Sequence, residues 1–310
     1  MKNPELASLT PFARILFVVI LVIVCFAVFM VAGMLLAQPL FHADLFRQLD
    51  LLTDYGNPDA VKLLKYFQVI QSLALFIVPP LLAAFLFDRS VPGYLGLNRG
   101  SSVRLYLLAL LILVVCLPFL NWMASLNEAL KLPSFLHGIE QWMIETEEET
   151  SKLTDAFLVM ESWGGFAFGM LMIAVLPAIG EELFFRGLVQ RLLGEWLKNR
   201  HMAIFLASFV FALFHLQFYG LLPRFLLGLF LGYLYYWSGS LWLPVFVHFL
   251  NNGSAVLISF LADKGVLSLN WEDFGTTDSA ILIIASAVLT GLLMWMVQFM
   301  AGKQKAREGQ

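Results

Sequence analysis

Apolar residues run through the chain in eight stretches, at approximately 12–38, 64–87, 104–124, 164–190, 202–219, 222–238, 241–262 and 279–301. Crossing a bilayer takes about 20 apolar residues of helix, so each stretch predicts a membrane span, the sixth being the shortest. The first is too long for a signal-peptide core and carries Pro11 and Arg14 at its start, which reads as a retained helix. Residues 125–163 are too polar to span. Within them, FLHGIEQWMIETEEET sets apolar residues at near-helical spacing with acids between, the pattern of a helix lying at the interface. The expected fold is an all-α polytopic membrane helix bundle of about eight transmembrane helices, one membrane-embedded domain over 1–310. An even number of spans puts both termini on one side.

Composition agrees with this pattern. Of 310 residues, 60% are apolar and only 13% charged, about half the charged share of a soluble domain; mean hydropathy is +0.82. The net charge of −3 says little, because the charges are segregated by loop. With the N-terminus inside, inner segments hold Lys2, Arg14, Arg89, Arg99, Arg104, Arg186, Arg191, Lys198, Arg200, Lys303, Lys305 and Arg307. Outer segments hold Arg47, Lys62, Lys65, Lys131, Lys152, Arg224 and Lys264. The 12 to 7 bias predicts cytoplasmic termini in a multi-pass cell-membrane protein. The outer acids Glu145, Glu147, Glu148 and Glu149 read as a solvated face, with a substrate-facing role as the alternative. Cys25 and Cys116 fall in apolar runs and read as buried free thiols. Nucleic acid binding has no support. The lipid bilayer is the expected surrounding.

Against this background one feature is out of place. The run GGFAFGMLMIAVLPAIGEELFFRGLV, Gly164 to Val189, carries Glu181 and Glu182 side by side at bilayer depth. A charge there costs at least about 2.5–3.5 kcal/mol on insertion scales. His215 and His248 lie in later apolar segments. The fourth and fifth stretches form a hairpin turning near Lys198. Glu181 lies 17 residues before that turn and His215 lies 17 after it, hence at similar depth. His248 enters from the same side. Glu182 and Arg186 are four apart with the acid first, the favourable order, which suits neutralisation of a helix end as well as support of a site. His248 and Asn252, also four apart, can address one ligand. Pro177 and Pro244 each stand four residues before a polar group, where a kink could open a wet cavity. His42, His137 and His201 lie in loops or at interfaces.

A carboxylate with two imidazoles suits water activation. The glutamate acts as general base, and the imidazoles hold the water, stabilise an oxyanion, or bind a metal. Glu181, His215 and His248 match a catalytic zinc set in ligand count, but helical HExxH spacing is absent. A divalent metal is an open alternative and no cofactor is required. Other intramembrane proteolytic designs fail. There is no HExxH, Asn57-Pro58-Asp59 only mimics a second metalloprotease motif in a loop, no aspartate falls in a span, and no membrane GxS has a partnered histidine.

Glu181-Glu182-x-x-x-Arg186, Phe211-x-x-x-His215 and His248-x-x-x-Asn252, in that order, resemble the three-motif signature of the CAAX protease and bacteriocin-processing (CPBP, or Abi) intramembrane protease family. The stretch FLLGLFLGYLYYWSGSLWLPVFVHFLNN, Phe225 to Asn252, resembles the family's approach to its last motif. The resemblance covers about 164–255, the expected catalytic core region. It implies peptide-bond hydrolysis of a membrane-bound peptide or protein, with the site open to the cytosol. Glu181 would be the general base and His215 its partner in holding water. His248 and Asn252 would stabilise the oxyanion, and Glu182 and Arg186 would support the site. The family has been called metalloproteases, although its prenyl-protein members look like glutamate-activated enzymes. The short loops suggest a bacterial plasma membrane. A non-catalytic immunity or scaffold protein and a proton-relay transporter are the competing readings.

Overall fold

The computed structural model describes residues 6, 8–42, 53–268 and 274–307; Lys2 and Arg47 of the charge count lie outside them. Every regular element among the described residues is helical. Helix α1, Pro11–Phe41, starts at Thr10, whose hydroxyl accepts from Ala13 N–H at 3.3 Å. It turns long apolar side chains such as Leu16, Ile20, Ile23 and Leu35 outward, as a lipid-facing helix does. Its inner contact is Gly33, which lies against Phe67 and Ile70 of α2, Pro58–Phe87. Asn57-Pro58-Asp59 is the start of α2 and not a loop: Asn57 caps it by accepting from Asp59 N–H at 3.0 Å. A side-chain cap followed by proline is a favoured helix start, so a structural role accounts for the tripeptide.

Helices α3, Val103–Val115, and α4, Leu117–Glu128, form a pair bent by 45°. Pro118 stands in the first turn of α4 and breaks the ladder. Ser286 repairs it, donating to Val115 O at 2.6 Å and accepting from Phe119 N–H at 3.2 Å. The amphipathic helix predicted outside the bundle is α5, His137–Leu158. Next comes α6, one apolar helix from Trp163 to Leu197. Its 35 residues extend about 50 Å, so it overshoots a hydrocarbon core of about 30 Å.

The turn near Lys198 is present, with Lys198 left-handed at φ 54° and Asn199 capping α7, Arg200–Leu213. A 3-10 turn at Phe218–Gly220 precedes α8, Leu221–Ser238; α9, Trp242–Asp263, and α10, Ala280–Arg307, complete the bundle. Each of the eight apolar stretches thus contains helix. Six of these helices are long and apolar enough to cross a membrane, or seven with the bent pair taken as one span. The expected count of eight is not reached by this measure, because 202–219 holds only a shorter apolar helix. There the helix stops at Leu213, and its 14 residues reach only about 21 Å. The chain nonetheless forms a multi-pass membrane protein by these helices.

Small residues decide how closely α7 and α8 approach. A Cβ on Gly228 would sit 3.0 Å from Ser208 Cβ, and one on Gly232 would sit 2.8 Å from Ile204 Cγ2. This is the small-xxx-small packing of membrane helices, in which backbone proximity replaces hydrophobic drive. Gly228→Val is expected to force the helices apart and to cost about 1–3 kcal/mol, seen as a lower unfolding temperature in detergent. Gly291, with nothing within 4 Å of its would-be Cβ, should accept alanine without loss.

Candidate active site

Helix α6 carries two stretches of π-helix, Met170–Val175 and Glu182–Gln190. The first runs straight into Pro177, which lies in the first turn of the α-helical segment Leu176–Glu181. A π-turn leaves carbonyls out of α register and absorbs a proline in mid-helix. Helix α2 repeats the device, with Leu73–Ile77 in π geometry before Pro79 and Pro80. The helices meet here, since a Cβ on Gly180 would stand 3.0 Å from both Ile77 Cγ1 and Phe76 Cβ. Pro244 behaves differently from expectation. It sits in the first turn of α9, where a missing N–H costs nothing, so it kinks no helix.

Next to Gly180, Glu181 and Glu182 diverge. Glu182 is 0% exposed and Glu181 13%. Glu182 Oε1 accepts from Arg186 Nη1 at 3.0 Å and from His248 Nδ1–H at 2.8 Å. A carboxylate held by arginine only accepts, which places the proton on Nδ1. Arg186 continues the chain, donating from Nη2 to Gly228 O at 3.1 Å, with its guanidinium 4.5 Å above the Phe211 ring. His248 Nε2 then lies 3.9 Å from Glu181 Oε2. That carboxylate oxygen and Glu182 Oε2 are buried without a hydrogen-bond partner among the described residues.

Asn252 lies one turn after His248 and also addresses α6. Its Nδ2 donates to Ile173 O at 3.2 Å, inside the first π-stretch, and its Oδ1 accepts from Asn251 Nδ2 at 3.1 Å. One amide N–H therefore stays available. His215 is less tightly integrated. It lies past the end of α7, not within a helix as expected, followed by Leu216 in the left-handed region at φ 52°. For leucine this conformation is strained and persists only under external constraint. His215 Nδ1–H donates to Phe211 O at 2.9 Å, which leaves Nε2 as the outward nitrogen. Phe211 is the shared wall, its ring 5.0 Å from the His215 ring and 6.0 Å from that of His248. Hydrogen bonds and ion pairs thus join Glu181 to His248, while His215 approaches across Phe211.

The depth of the cluster follows from helix rise. Arg191 Nη1 donates to Tyr94 O at 2.6 Å, and Trp242 Nε1 to Leu97 O at 2.9 Å, marking one end of the bundle. Glu181 lies about 15 Å and His248 about 9 Å from those anchors along their helices. Among the described residues, no group of three His, Cys, Asp or Glu side chains is disposed to hold a metal ion. Cys25 and Cys116 are buried free thiols, as expected. His201 bonds Tyr233 Oη at 3.0 Å, away from the cluster.

Sequence reasoning passed over the contributions of Phe211 as a wall, Ile173 O as an anchor and Gly228 O as a brace. Phe211 stood in the motif, but only as a spacer; the glycine pair Gly228 and Gly232 was the readable sign of close packing.

Residues 163–254 match a family model described as type II CAAX prenyl endopeptidase Rce1-like. The matched segment agrees within one residue at each end with the 164–255 resemblance and contains Phe211 and all six polar motif residues. No curated protein and no solved structure matches the chain.

Removing Arg186 would strand the Glu182 carboxylate, and a broken buried pair typically costs about 3–5 kcal/mol. Arg186→Met should therefore lower the unfolding temperature sharply in detergent, and adding Glu182→Gln should recover part of the loss. Simple additivity of the two changes would show that the pair is not coupled.

Proposed function

We propose that this Rce1-like membrane protein is an intramembrane endopeptidase that hydrolyses peptide bonds of membrane-associated peptides or proteins by glutamate-activated water. The observation that carries this reading is the Glu181–His248 pair, 3.9 Å apart, with His248 held from behind by buried Glu182. One water oxygen fits about 2.8 Å from both atoms, with an angle of about 90° between them. Glu181 takes its proton while the oxygen adds to the carbonyl carbon. His215 Nε2 accepts the second water hydrogen. With Nε2 protonated as well as Nδ1, His248 joins the remaining N–H of Asn252 in facing the charge that develops on the carbonyl oxygen. Glu181 then hands its proton to the leaving nitrogen as the C–N bond breaks, giving a carboxylate and an amine. The reaction as drawn uses water and side chains alone.

Glu182 and Arg186 act through His248. Glu182 accepts the Nδ1–H and thereby sets where Nε2 points, the role an orienting carboxylate plays in other hydrolases. Both termini are assigned to the cytoplasmic side by the Lys and Arg bias, in a bacterial plasma membrane, with the site reached from the cytosol. The non-catalytic scaffold reading leaves the unpaired Glu181 oxygen without a purpose.

The test compares peptide termini in membranes of cells expressing wild type and Glu181→Gln at matched levels. General acid–base groups contribute about 10²–10⁴-fold, so termini dependent on Glu181 should vanish in the variant while its unfolding temperature holds. Equal termini in both samples would sink the general-base assignment. Glu182→Gln should lower both turnover and stability, unlike Glu181→Gln, because Glu182 also braces Arg186.

A further inference from the structure

The turn that carries His215 is held from outside the segment matching the family. Asn127, at the end of α4 and 6% exposed, spans it. Its Nδ2 donates to Phe218 O at 2.8 Å and its Oδ1 accepts from Leu222 N–H at 2.8 Å. From α5, Glu147 Oε2 accepts from Tyr219 N–H at 3.2 Å, and the Trp142 ring lies 5.2 Å from that of Phe218. Inside the turn, Arg224 donates to the Gln217 carbonyl at 3.3 Å and to the Gln217 side-chain oxygen. Glu147 is thus half-buried and engaged, unlike its exposed neighbours Glu145, Glu148 and Glu149. This revises the expectation of a uniformly solvated acidic face.

These contacts answer a physical need. Because α7 ends at Leu213, its last turn satisfies only the amides of Phe214, His215 and Leu216; the backbone beyond must find partners elsewhere, since in lipid each unsatisfied group costs several kcal/mol. Leu216 adds strain at φ 52°. A turn with those two liabilities keeps one shape only if neighbours impose it. Asn127 and Glu147 supply an acceptor to two of its N–H groups, and Asn127 a donor to one carbonyl.

We infer that Asn127 and Glu147 are positioning residues that set the His215 imidazole against Phe211, and that α5 is the clasp through which they act. This deepens the endopeptidase reading and rests on it for its functional consequence; the effect on His215 itself does not depend on proteolysis. Displacing a reacting group by about 1 Å can cost about 100-fold in rate. Loosening the clasp should therefore lower turnover without touching Glu181, Glu182 or His248.

The experiment uses the full chain in detergent with ¹⁵N-labelled histidine, the His215 ring signals being assigned by their loss in His215→Gln. Glu147→Leu, which removes the acceptor, should shift or broaden the His215 signals and leave those of His248 in place, with the unfolding temperature little changed. Glu147→Gln keeps an acceptor and should return the His215 signals toward wild type. Asn127→Leu should act like Glu147→Leu more strongly; if it fails to fold, the Glu147 pair of variants decides. In membranes, the rate at which Glu181-dependent termini form should fall about 10- to 100-fold in Glu147→Leu. Unchanged His215 signals in Glu147→Leu would overturn the clasp, whatever happens to turnover. Shifted signals with an undiminished rate of Glu181-dependent termini would overturn its functional role. If no Glu181-dependent termini form even in wild type, the endopeptidase reading fails, and the spectra still decide the clasp.

Discussion

Glu182 is a carboxylate withdrawn from all solvent, and much of the molecule is arranged to make that tolerable. Its Oε1 takes hydrogen bonds from Arg186 and His248. Arg186 in turn needs a brace and finds it in Gly228 O and the Phe211 face. Gly228 can offer its carbonyl there because α7 and α8 approach to backbone contact. One buried charge thereby ties α6, α7, α8 and α9 into a single unit. Burying an ion pair is seldom favourable for stability on its own; what it provides here is a fixed imidazole, with Nε2 aimed at Glu181.

The irregularities of the helices serve the same end. Three π-stretches and one bent pair occur among the spans, and two of those stretches and the bend adjoin a proline. In lipid a freed carbonyl must be satisfied by protein. Ser286 does this at the α3–α4 bend, and Asn252 does it at Ile173 O. The second case turns a defect into an alignment device, since it orients the amide that faces the site. The short α7 follows the same logic. Its early end opens room beside Phe211, and the exposed turn is closed from α4 and α5.

The match to an Rce1-like family segment covers 163–254, and within it the six motif residues form two groups. Glu181, Glu182, Arg186 and His248 make a continuous chain of contacts. His215 and Asn252 flank that chain from the α7 turn and from the next turn of α9. Asn127 and Glu147, outside the matched segment, bond the turn that follows His215.

Much was legible in the residue order alone. Apolar runs of span length, the interfacial α5, the Lys198 hairpin and the polar residues at bilayer depth arise from local composition and from the cost of exposing backbone or charge to lipid. Those constraints act on each segment separately. Beyond the Glu182–Arg186 pair within one helix, side-chain pairing was not legible, because between helices it depends on helix phase and length. A π-turn inserts one residue and rotates every later side chain by about 100° relative to an α-helical count, so spacing could not tell which glutamate faces His248. It paired Glu181 with His215 by depth, whereas contact depends on the face. Pro244 looked like a kink only because the start of α9 was not visible. Glu147 looked solvated because its partner, Tyr219 N–H, is exposed by a helix end that no local pattern announced. Local hydrophobicity determined where the helices run; only tertiary packing, through helix phase, close glycine contacts and unsatisfied backbone groups, decided which polar atoms meet.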